Sequence, residues 1–213
     1  MRHRTLIVTL ALLVGLIVAS APSHTAAKTL RIVALGDSLV AGLGLAAQQA
    51  FTSVLQQKLR AKGHDVVVVN AGVSGDTSAD GLARLDWALG DGADAVILEL
   101  GANDMLRGLD PKTTRATLEK IVGQIAGQKV PLLISGMRAS GNLGPDYGTA
   151  FDKIYPDLAS QYGALLDPFY LEGVAMDPKL NQDDGIHPNA SGVIKIVDRM
   201  LPLVEQLVSK AGG

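Results

Sequence analysis

The stretch LRIVALGD, residues Leu30 to Asp37, decides the fold class because it is an apolar run that ends in glycine and aspartate. Such a run, without alternating polar residues, is typical of a strand buried on both faces of a sheet. DVVVVNAG at residues 65–72 and DAVILELG at residues 94–101 share the pattern. Shorter runs follow at VPLLISGM, residues 130–137, and at ALLDP, residues 164–168. Together these segments predict five buried strands.

Helical patterns separate these strands along the chain. Capping residues, apolar positions at helical spacing and terminal glycines predict helices over residues 48–63, 77–90, 110–128, 146–163 and 189–212. We expect Pro156 to bend the fourth of these helices, and we expect Trp87 to lie in the core with Leu82 and Leu85. The alternation predicts an α/β protein, a three-layer α/β/α sandwich in which helices cover both faces of a sheet of five parallel strands.

Length and composition exclude several classes of protein. The 213 residues suit one domain, which we expect over residues 28–213. A net charge of −2 gives no electrostatic case for a nucleic-acid partner. The sequence contains no cysteine, which excludes disulfides, cysteine-ligated zinc and a thiol nucleophile. We expect no cofactor and no metal ion.

The N-terminus has the pattern of a secretory signal peptide. MRHR supplies positive charge, TLIVTLALLVGLIVA is an apolar run, and SAPSHTAA provides small residues suited to cleavage. The apolar run is short for a membrane span, which needs about 20 residues. We expect residues 1–27 to be removed, with cleavage after Ala21 or Ala27. The rest of the chain would then be periplasmic or secreted without stable membrane insertion; an uncleaved anchor is the alternative.

Polar residues gather where the predicted strands end. GDS (Gly36–Ser38) follows the first strand, NAGVSGD (Asn70–Asp76) ends the second, and GAND (Gly101–Asp104) ends the third. DDGIH (Asp183–His187) precedes the last helix. In a parallel α/β sheet, functional groups gather in the loops beyond the carboxyl ends of the strands. We therefore expect all four segments to meet at one edge of the sheet.

Ser38, His187 and Asp184 are the residue types that acyl transfer needs. A serine hydroxyl becomes an effective nucleophile when a neighbouring imidazole takes its proton. His187 is the only histidine expected at this edge, and Asp184, three residues earlier, can accept from its Nδ1–H within one turn. Nε2 of His187 would then face Ser38. The spacing predicts a catalytic triad of Ser38, His187 and Asp184.

Acyl transfer also needs hydrogen-bond donors for the oxyanion. The backbone N–H of Ser38 can point into the site, and Gly75 can bring its N–H close because it has no side chain. Asn103 offers a side-chain amide, a type of donor found in oxyanion holes. We expect Ser38, Gly75 and Asn103 to bind the oxyanion.

Each of these residues also has a structural interpretation. Ser38 could cap the helix that follows it, Gly75 could serve only a turn, and Asn103 could form an Asx-turn. His187 could be a structural histidine. Their joint presence in four strand-end loops favours catalysis over four independent structural roles.

A metal site is a further alternative for Asp183, Asp184 and His187. A zinc site usually takes three or four protein ligands with a second histidine or cysteine, and the sequence offers no such partner at this edge. Leu106 and Leu109 follow the third strand and could either line an acyl pocket or simply pack.

Four motifs resemble, in order and spacing, the sequence blocks of the SGNH (GDSL) hydrolase superfamily: GDSL (36–39), SGDTS (74–78), GANDMLRG (101–108) and DDGIHPN (183–189). The resemblance covers residues 29–208 and is closest to bacterial periplasmic esterases of the thioesterase, lysophospholipase and arylesterase type. It implies a flavodoxin-like sheet of order 2-1-3-4-5 and the same triad and oxyanion residues. The serine is not in the G-x-S-x-G elbow of the α/β-hydrolases.

The resemblance implies a serine esterase that hydrolyses aryl esters, other acyl esters, thioesters and lysophospholipid-like substrates through an acyl-enzyme intermediate. We expect a monomer that acts on small acyl-ester or lipid-like substrates. Two departures lie near the substrate: the loop Arg138–Gly148 differs from the family's substrate-covering loop, and Ala102 replaces a glycine. The alternatives are a carbohydrate O-acetyl esterase on the same scaffold, an FMN-binding flavodoxin-like protein and an inactive binding protein.

Overall fold

The computed structural model describes residues 28–212, which contain a five-stranded sheet. The strands are β1 (Leu30–Gly36), β2 (Val66–Gly72), β3 (Ala95–Glu99), β4 (Leu132–Ser135) and β5 (Leu165–Asp167). All neighbouring strands pair in parallel, in the order β2-β1-β3-β4-β5. The expected fold class, strand number and strand order are confirmed.

Strand β1 determines where a site can form, because the strand order reverses beside it. β1 pairs with β2 on one side and with β3 on the other, so that Gly36 lies opposite both Gly72 and Glu99. Open α/β sheets bind their ligands in the crevice beyond the carboxyl ends of the strands at such a reversal. In this protein the crevice lies just beyond these three residues.

Helices cover both faces of the sheet. They are α1 (Ser38–Ala41), α2 (Phe51–Ala61), α3 (Ser78–Ala83), α4 (Leu85–Leu89), α5 (Ala102–Leu106), α6 (Pro111–Gly127), α7 (Pro145–Asp152), α8 (Ile154–Tyr162) and α9 (Ala190–Ala211). α2 packs against α9, whereas α6 packs against α3, α7 and α8. Between these layers β3 is buried along its whole length, and the three-layer arrangement is confirmed.

The helix expected over residues 77–90 is in fact two helices. Arg84 separates α3 from α4, with φ of −111° and ψ of 10°. Leu85 and Leu89 lie on one face of α4 and are buried, whereas Trp87 between them, about 200° around the helix from each, is 76% exposed. The expectation that Trp87 lies in the core is therefore wrong.

The helix expected to bend at Pro156 is instead interrupted three residues earlier. α7 ends at Asp152 and α8 begins at Ile154, so Lys153 marks the break. Pro156 is the third residue of α8 and lies in its first turn, where a backbone N–H has no intrahelical partner in any case. Proline is tolerated there, and the helix is interrupted before it.

The structure tests the expectation for the C-terminal helix but not the expectation for residues 1–27. Asn189 caps α9, which ends at Ala211 before Gly212, as expected. Within residues 28–212, no helix is long and apolar enough to span a membrane. The expected signal peptide, residues 1–27, lies outside the described residues.

Candidate active site

Ser38 lies at the turn from β1 into α1, at the carboxyl edge of the sheet. The Asp37 carboxylate caps this short helix by accepting a hydrogen bond from the N–H of Leu39 at 3.0 Å. Ser38 is the first residue of the helix, so its own N–H has no intrahelical acceptor. Because Asp37 rather than Ser38 is the cap, the Ser38 hydroxyl is left for another partner.

His187 is that partner. Its Nε2 lies 2.8 Å from Ser38 Oγ, and its Nδ1 lies 2.6 Å from Asp184 Oδ2. The other Asp184 oxygen accepts from the N–H of His187 at 3.0 Å and of Ile186 at 2.9 Å. These hydrogen bonds, led by the one from the His187 backbone, lower the pKa of Asp184 to about 2. The ionised Asp184 favours the imidazole tautomer with Nδ1 protonated and Nε2 free to accept from the serine.

Backbone hydrogen bonds fix the segment that carries this histidine. The N–H of Gln182 donates to the His187 carbonyl at 2.8 Å. Gly185 turns the chain between the aspartate and the histidine, with φ of +71°. Asn189 then starts α9 by accepting from the N–H of Ser191 at 3.0 Å. The base and the residue that orients it therefore come from one short turn held at both ends.

Asn103 lies in the same cavity as Ser38 and His187, but both hydrogens of its amide already have partners. Nδ2 donates to Asp37 Oδ2 and to the carbonyl of Asp76, each at 3.0 Å. In this state the amide ties the nucleophile turn to the loop that follows β2. A role in binding an oxyanion requires one of these hydrogens to be shared with the substrate or redirected towards it.

Gly75 lies in the loop after β2, with φ of +89°, a conformation that favours glycine. Its carbonyl accepts a hydrogen bond from Arg107 at 2.7 Å. Among residues 28–212 its N–H has no acceptor, which leaves it available to a ligand. Gly75 does not line the cavity beside Ser38; it precedes Asp76, whose carbonyl Asn103 contacts.

Glu99 belongs to the site region but was not singled out from the sequence, where it is one acid in the apolar run of β3. It is fully buried; one carboxyl oxygen accepts from the Asp37 N–H at 3.3 Å, and the other has no hydrogen-bond partner among the described residues. Burial raises the pKa of Glu99 well above its usual range, and the neighbouring Asp37 raises it further.

Asp37 is the other half of this carboxyl pair. Burial raises the pKa of Asp37 too. Its carboxylate, however, accepts from the Leu39 N–H and the Asn103 amide, whereas the Glu99 carboxyl accepts from only one N–H. Hydrogen bonds to the charged form favour that form. Asp37 is therefore the ionised member of the pair, and Glu99 is the neutral one.

An apolar cavity of about 180 Å³ opens beside the serine and the histidine. Its apolar lining residues are Leu39, Ala102, Met105, Leu106, Met137, Phe169, Leu171 and Ile186. Arg138 stands on its wall, with the guanidinium 5.0 Å from the ring centre of Phe169 and 3.3 Å from the Glu172 carboxylate. Of the two leucines considered from the sequence, Leu106 lines this cavity and Leu109 does not. Such a lining suits an acyl chain.

The metal alternative receives no support from the geometry. Among residues 28–212, no group of three or more histidine or acidic side chains is placed to hold a metal ion. Asp184 and His187 are hydrogen-bonded to each other, and His187 to Ser38. His64 lies 3.4 Å from Glu205, away from these residues.

Fold and site together define a class of protein. A parallel α/β/α sheet carries a hydroxyl, an imidazole and a carboxylate, hydrogen-bonded in series at its carboxyl edge beside an apolar cavity. This is the arrangement of hydrolases that transfer acyl groups.

Known proteins give the family. Residues 34–193 match the GDSL-like Lipase/Acylhydrolase family. The chain is 39% identical to "Esterase TesA" of Pseudomonas aeruginosa over 186 aligned residues, and this alignment covers 87% of this chain and 92% of that protein. It is 42% identical over 185 residues to the Escherichia coli "Thioesterase 1/protease 1/lysophospholipase L1", with 86% of each covered. The crystal structure of AlinE4, an SGNH-hydrolase family esterase, is 44% identical and has a TM-score of 0.72, covering 84% of this chain and 96% of that one.

The chain therefore belongs to the GDSL-like lipase/acylhydrolase family, and it is a carboxylic-ester hydrolase. The resemblance to the SGNH superfamily, drawn from four short motifs, is confirmed. The individual roles of Ser38, Asp184, His187, Gly75 and Asn103 stay predictions that the geometry makes specific.

Proposed function

We propose that the chain is a serine esterase that hydrolyses acyl esters and thioesters through an acyl-enzyme intermediate on Ser38. The observation that carries the proposal is the unbroken series from Ser38 Oγ to His187 Nε2 at 2.8 Å and from His187 Nδ1 to Asp184 Oδ2 at 2.6 Å. Both distances are normal hydrogen-bond lengths. The series ends on an ionised carboxylate, as a triad requires.

In the proposed mechanism, Ser38 Oγ attacks the ester carbonyl while His187 Nε2 takes its proton. The oxyanion accepts hydrogen bonds from the N–H groups of Ser38 and Gly75 and from the Asn103 amide. The tetrahedral intermediate then expels the alcohol or thiol, which receives the proton from His187. Water attacks the acyl-enzyme, His187 takes and returns the second proton, and the acid leaves. Asp184 stabilises the imidazolium throughout.

We propose small acyl-ester or lipid-like substrates: aryl esters, other acyl esters and lysophospholipid-like molecules. The apolar cavity beside Ser38 supports an acyl chain rather than a sugar, because its lining contains one aromatic ring, Phe169, within the described part of the chain. The names of the relatives, esterase and thioesterase/lysophospholipase, point the same way. We further propose that the enzyme is a monomer and needs neither cofactor nor metal ion.

The place of action is also a proposal. Residues 1–27 carry the charge, apolar run and small residues of a signal peptide, with cleavage after Ala21 or Ala27. Residues 28–213 would form the mature domain, periplasmic or secreted. An exported enzyme does not meet cytosolic acyl-CoA, so oxygen esters are the substrates we propose in the cell.

The experiment is hydrolysis of p-nitrophenyl esters from acetate to palmitate by the wild type and by Ser38→Ala. Ser209→Ala, a change of an exposed serine on α9, is the matched control. We expect Ser38→Ala to lose nearly all turnover and Ser209→Ala to keep it. Wild-type-like turnover in folded Ser38→Ala would refute the serine mechanism. Activity confined to acetate would favour the carbohydrate O-acetyl esterase instead.

A further inference from the structure

Arg84, the residue that breaks the helix expected over residues 77–90, turns its side chain inward between the ends of β1 and β2. Its side chain is only 17% exposed. Nη2 donates to the Gly36 carbonyl at 2.9 Å, Nη1 donates to the Ala71 carbonyl at 2.8 Å, and Nε donates to Asp76 Oδ2 at 2.6 Å. One planar guanidinium therefore joins two backbone carbonyls and one carboxylate at the edge of the sheet.

Two of these points, Gly36 and Asp76, lie close in sequence to a proposed oxyanion donor. Gly36 lies two residues before Ser38, and Asp76 directly follows Gly75. The Asp76 carbonyl accepts from the Asn103 amide. The three donors come from three different loops of the sheet edge, so nothing in the local sequence sets their distances from one another. The guanidinium connects the end of β1 directly to the loop that follows β2, and the Asn103 amide links the third loop to both.

Other contacts also hold the loop between β2 and α3, Val73–Thr77, but they hold it to a different part of the molecule. Arg107 donates to the Gly75 carbonyl from the exposed side. Asp104 accepts from the N–H of Ser78, at the start of α3. These contacts hold the loop to α5, whereas Arg84, together with the Val73 N–H that donates to the Gly36 carbonyl, holds it to the end of β1.

We propose that Arg84 is a positioning residue for ester hydrolysis: paired with Asp76 and bonded to the carbonyls of Gly36 and Ala71, it holds the oxyanion donors in register. The inference rests on the proposed function of Ser38, Gly75 and Asn103. Arg84 does not line the cavity, so it acts through other residues rather than on the substrate.

The physical reason is preorganisation. Donors that are in place before charge develops on the oxyanion need no rearrangement at the moment of reaction. A misplacement of 1 Å can reduce the rate by about 10². The oxyanion exists only after the serine has attacked, so loosening its donors should lower kcat while KM changes little.

The first variants are Arg84→Lys and Asp76→Asn. A lysine keeps the positive charge, but its compact ammonium cannot donate to all three of the acceptors that the planar guanidinium reaches. Asp76→Asn removes the ion pair but keeps the backbone carbonyl that Asn103 contacts. For each we expect kcat to fall about 10- to 100-fold with KM unchanged within about threefold. The matched control is Arg115→Lys, a partly exposed arginine on α6 that pairs with Asp157 within the described residues; we expect its kcat unchanged.

Active-site titration with a fluorophosphonate separates positioning from folding, because kcat is then expressed per reactive serine. The double variant Arg84→Lys/Asp76→Asn should lose no more than the worse single variant, since both act through one pair. A lower melting temperature with kcat per reactive serine unchanged, a rise in KM alone, or additive losses in the double variant would each overturn the inference. Active Ser38→Ala would instead refute the proposed function, so the two failures are distinguishable.

Discussion

Glu99 is a buried acid that has no cation among its hydrogen-bond partners in residues 28–212, and it lies directly behind Asp37, the residue that precedes the proposed nucleophile. Its pKa is raised by burial and by Asp37, so the folded protein holds a proton that the unfolded chain releases above about its ordinary pKa of 4.5. Stability from this group is therefore fully present below that pH and is lost as the pH rises towards the folded-state pKa. One proton that the folded protein keeps and the unfolded chain releases makes the free energy of unfolding fall by up to about 1.4 kcal/mol per pH unit.

We predict that Glu99→Gln flattens the pH dependence of the free energy of unfolding between pH 5 and pH 8. The amide keeps an oxygen that can accept from the Asp37 N–H but has no proton to lose. Asp184 has a pKa of about 2 and therefore titrates below this pH window. Burial raises the pKa values of Tyr155 and Tyr170, so both stay neutral within it.

Urea unfolding at each pH measures the slope. Glu119→Gln, on the outer helix α6, is the control and should leave the slope unchanged. Equal slopes for the wild type and Glu99→Gln would show that Glu99 is ionised in the folded protein.

Some contacts of the site could be predicted from the sequence and others could not, because only some of the partners are close to each other in sequence. Asp184 and His187 are three residues apart, and a local turn brings them together. The partnership of Glu99 and Asp37 depends on the register of β1 and β3, which no local pattern encodes. The two bonds that occupy the Asn103 amide are of the same non-local kind.

At the scale of elements, the close approach of β2 to α1 sets the position of the nucleophile turn. A Cβ atom on Gly72 would collide with the backbone N of Ala41 and would lie 2.8 Å from the Asp37 carbonyl oxygen. Neither backbone atom can swing aside as a flexible side chain can. The absence of a side chain at Gly72 is therefore part of how the sheet edge places Ser38.

We predict that Gly72→Ala destabilises the protein by about 1–3 kcal/mol, the usual range for overpacking, and lowers kcat because α1 must shift. Thermal and urea unfolding measure the first effect, and p-nitrophenyl ester turnover measures the second. Gly127→Ala is the control: a Cβ there meets nothing within 4 Å, and the position is helical. Unchanged stability and kcat in Gly72→Ala would mean that the two elements separate without cost.

Helix interruptions were the least predictable elements. Apolar spacing correctly indicated helices near residues 77–90 and 146–163, but it did not indicate the breaks at Arg84 and Lys153. The break at Arg84 coincides with hydrogen bonds to two strand ends, which tertiary structure supplies and periodicity does not contain. Trp87 was misplaced for a different reason: it lies about 200° around the helix from the buried Leu85 and Leu89, so its side chain faces away from the sheet.

For the whole molecule, continuous apolar runs were enough to indicate a parallel sheet covered on both faces. The strand order came only from the family resemblance, since composition and periodicity do not say which strands are neighbours. The order matters for function: with β1 between β2 and β3, three loops that are far apart in sequence end at one crevice. The convergence of the polar motifs follows from that topology.

The size of the cavity leads to a prediction about the acyl chain. About 180 Å³ accommodates about six groups the size of a water molecule, which occupies about 30 Å³ in the liquid, and a methylene is of similar size. Each methylene buried there contributes about 0.8 kcal/mol. We therefore expect kcat/KM for p-nitrophenyl esters to rise up to fourfold per carbon, to about hexanoate, and then to level off.

Met137→Ala tests whether this cavity holds the chain. Met137 lines the cavity and is 3% exposed, whereas Met200, on α9, is fully buried outside the lining. Truncating either should cost about 2–5 kcal/mol of stability, so Met200→Ala matches the loss of packing without enlarging the site. Removing the three heavy atoms beyond Cβ at Met137 should move the plateau to chains about two or three carbons longer, while Met200→Ala should leave it at the wild-type length. A plateau that moves in both variants, or in neither, would show that the acyl chain lies outside this cavity, because only one substitution changes its volume.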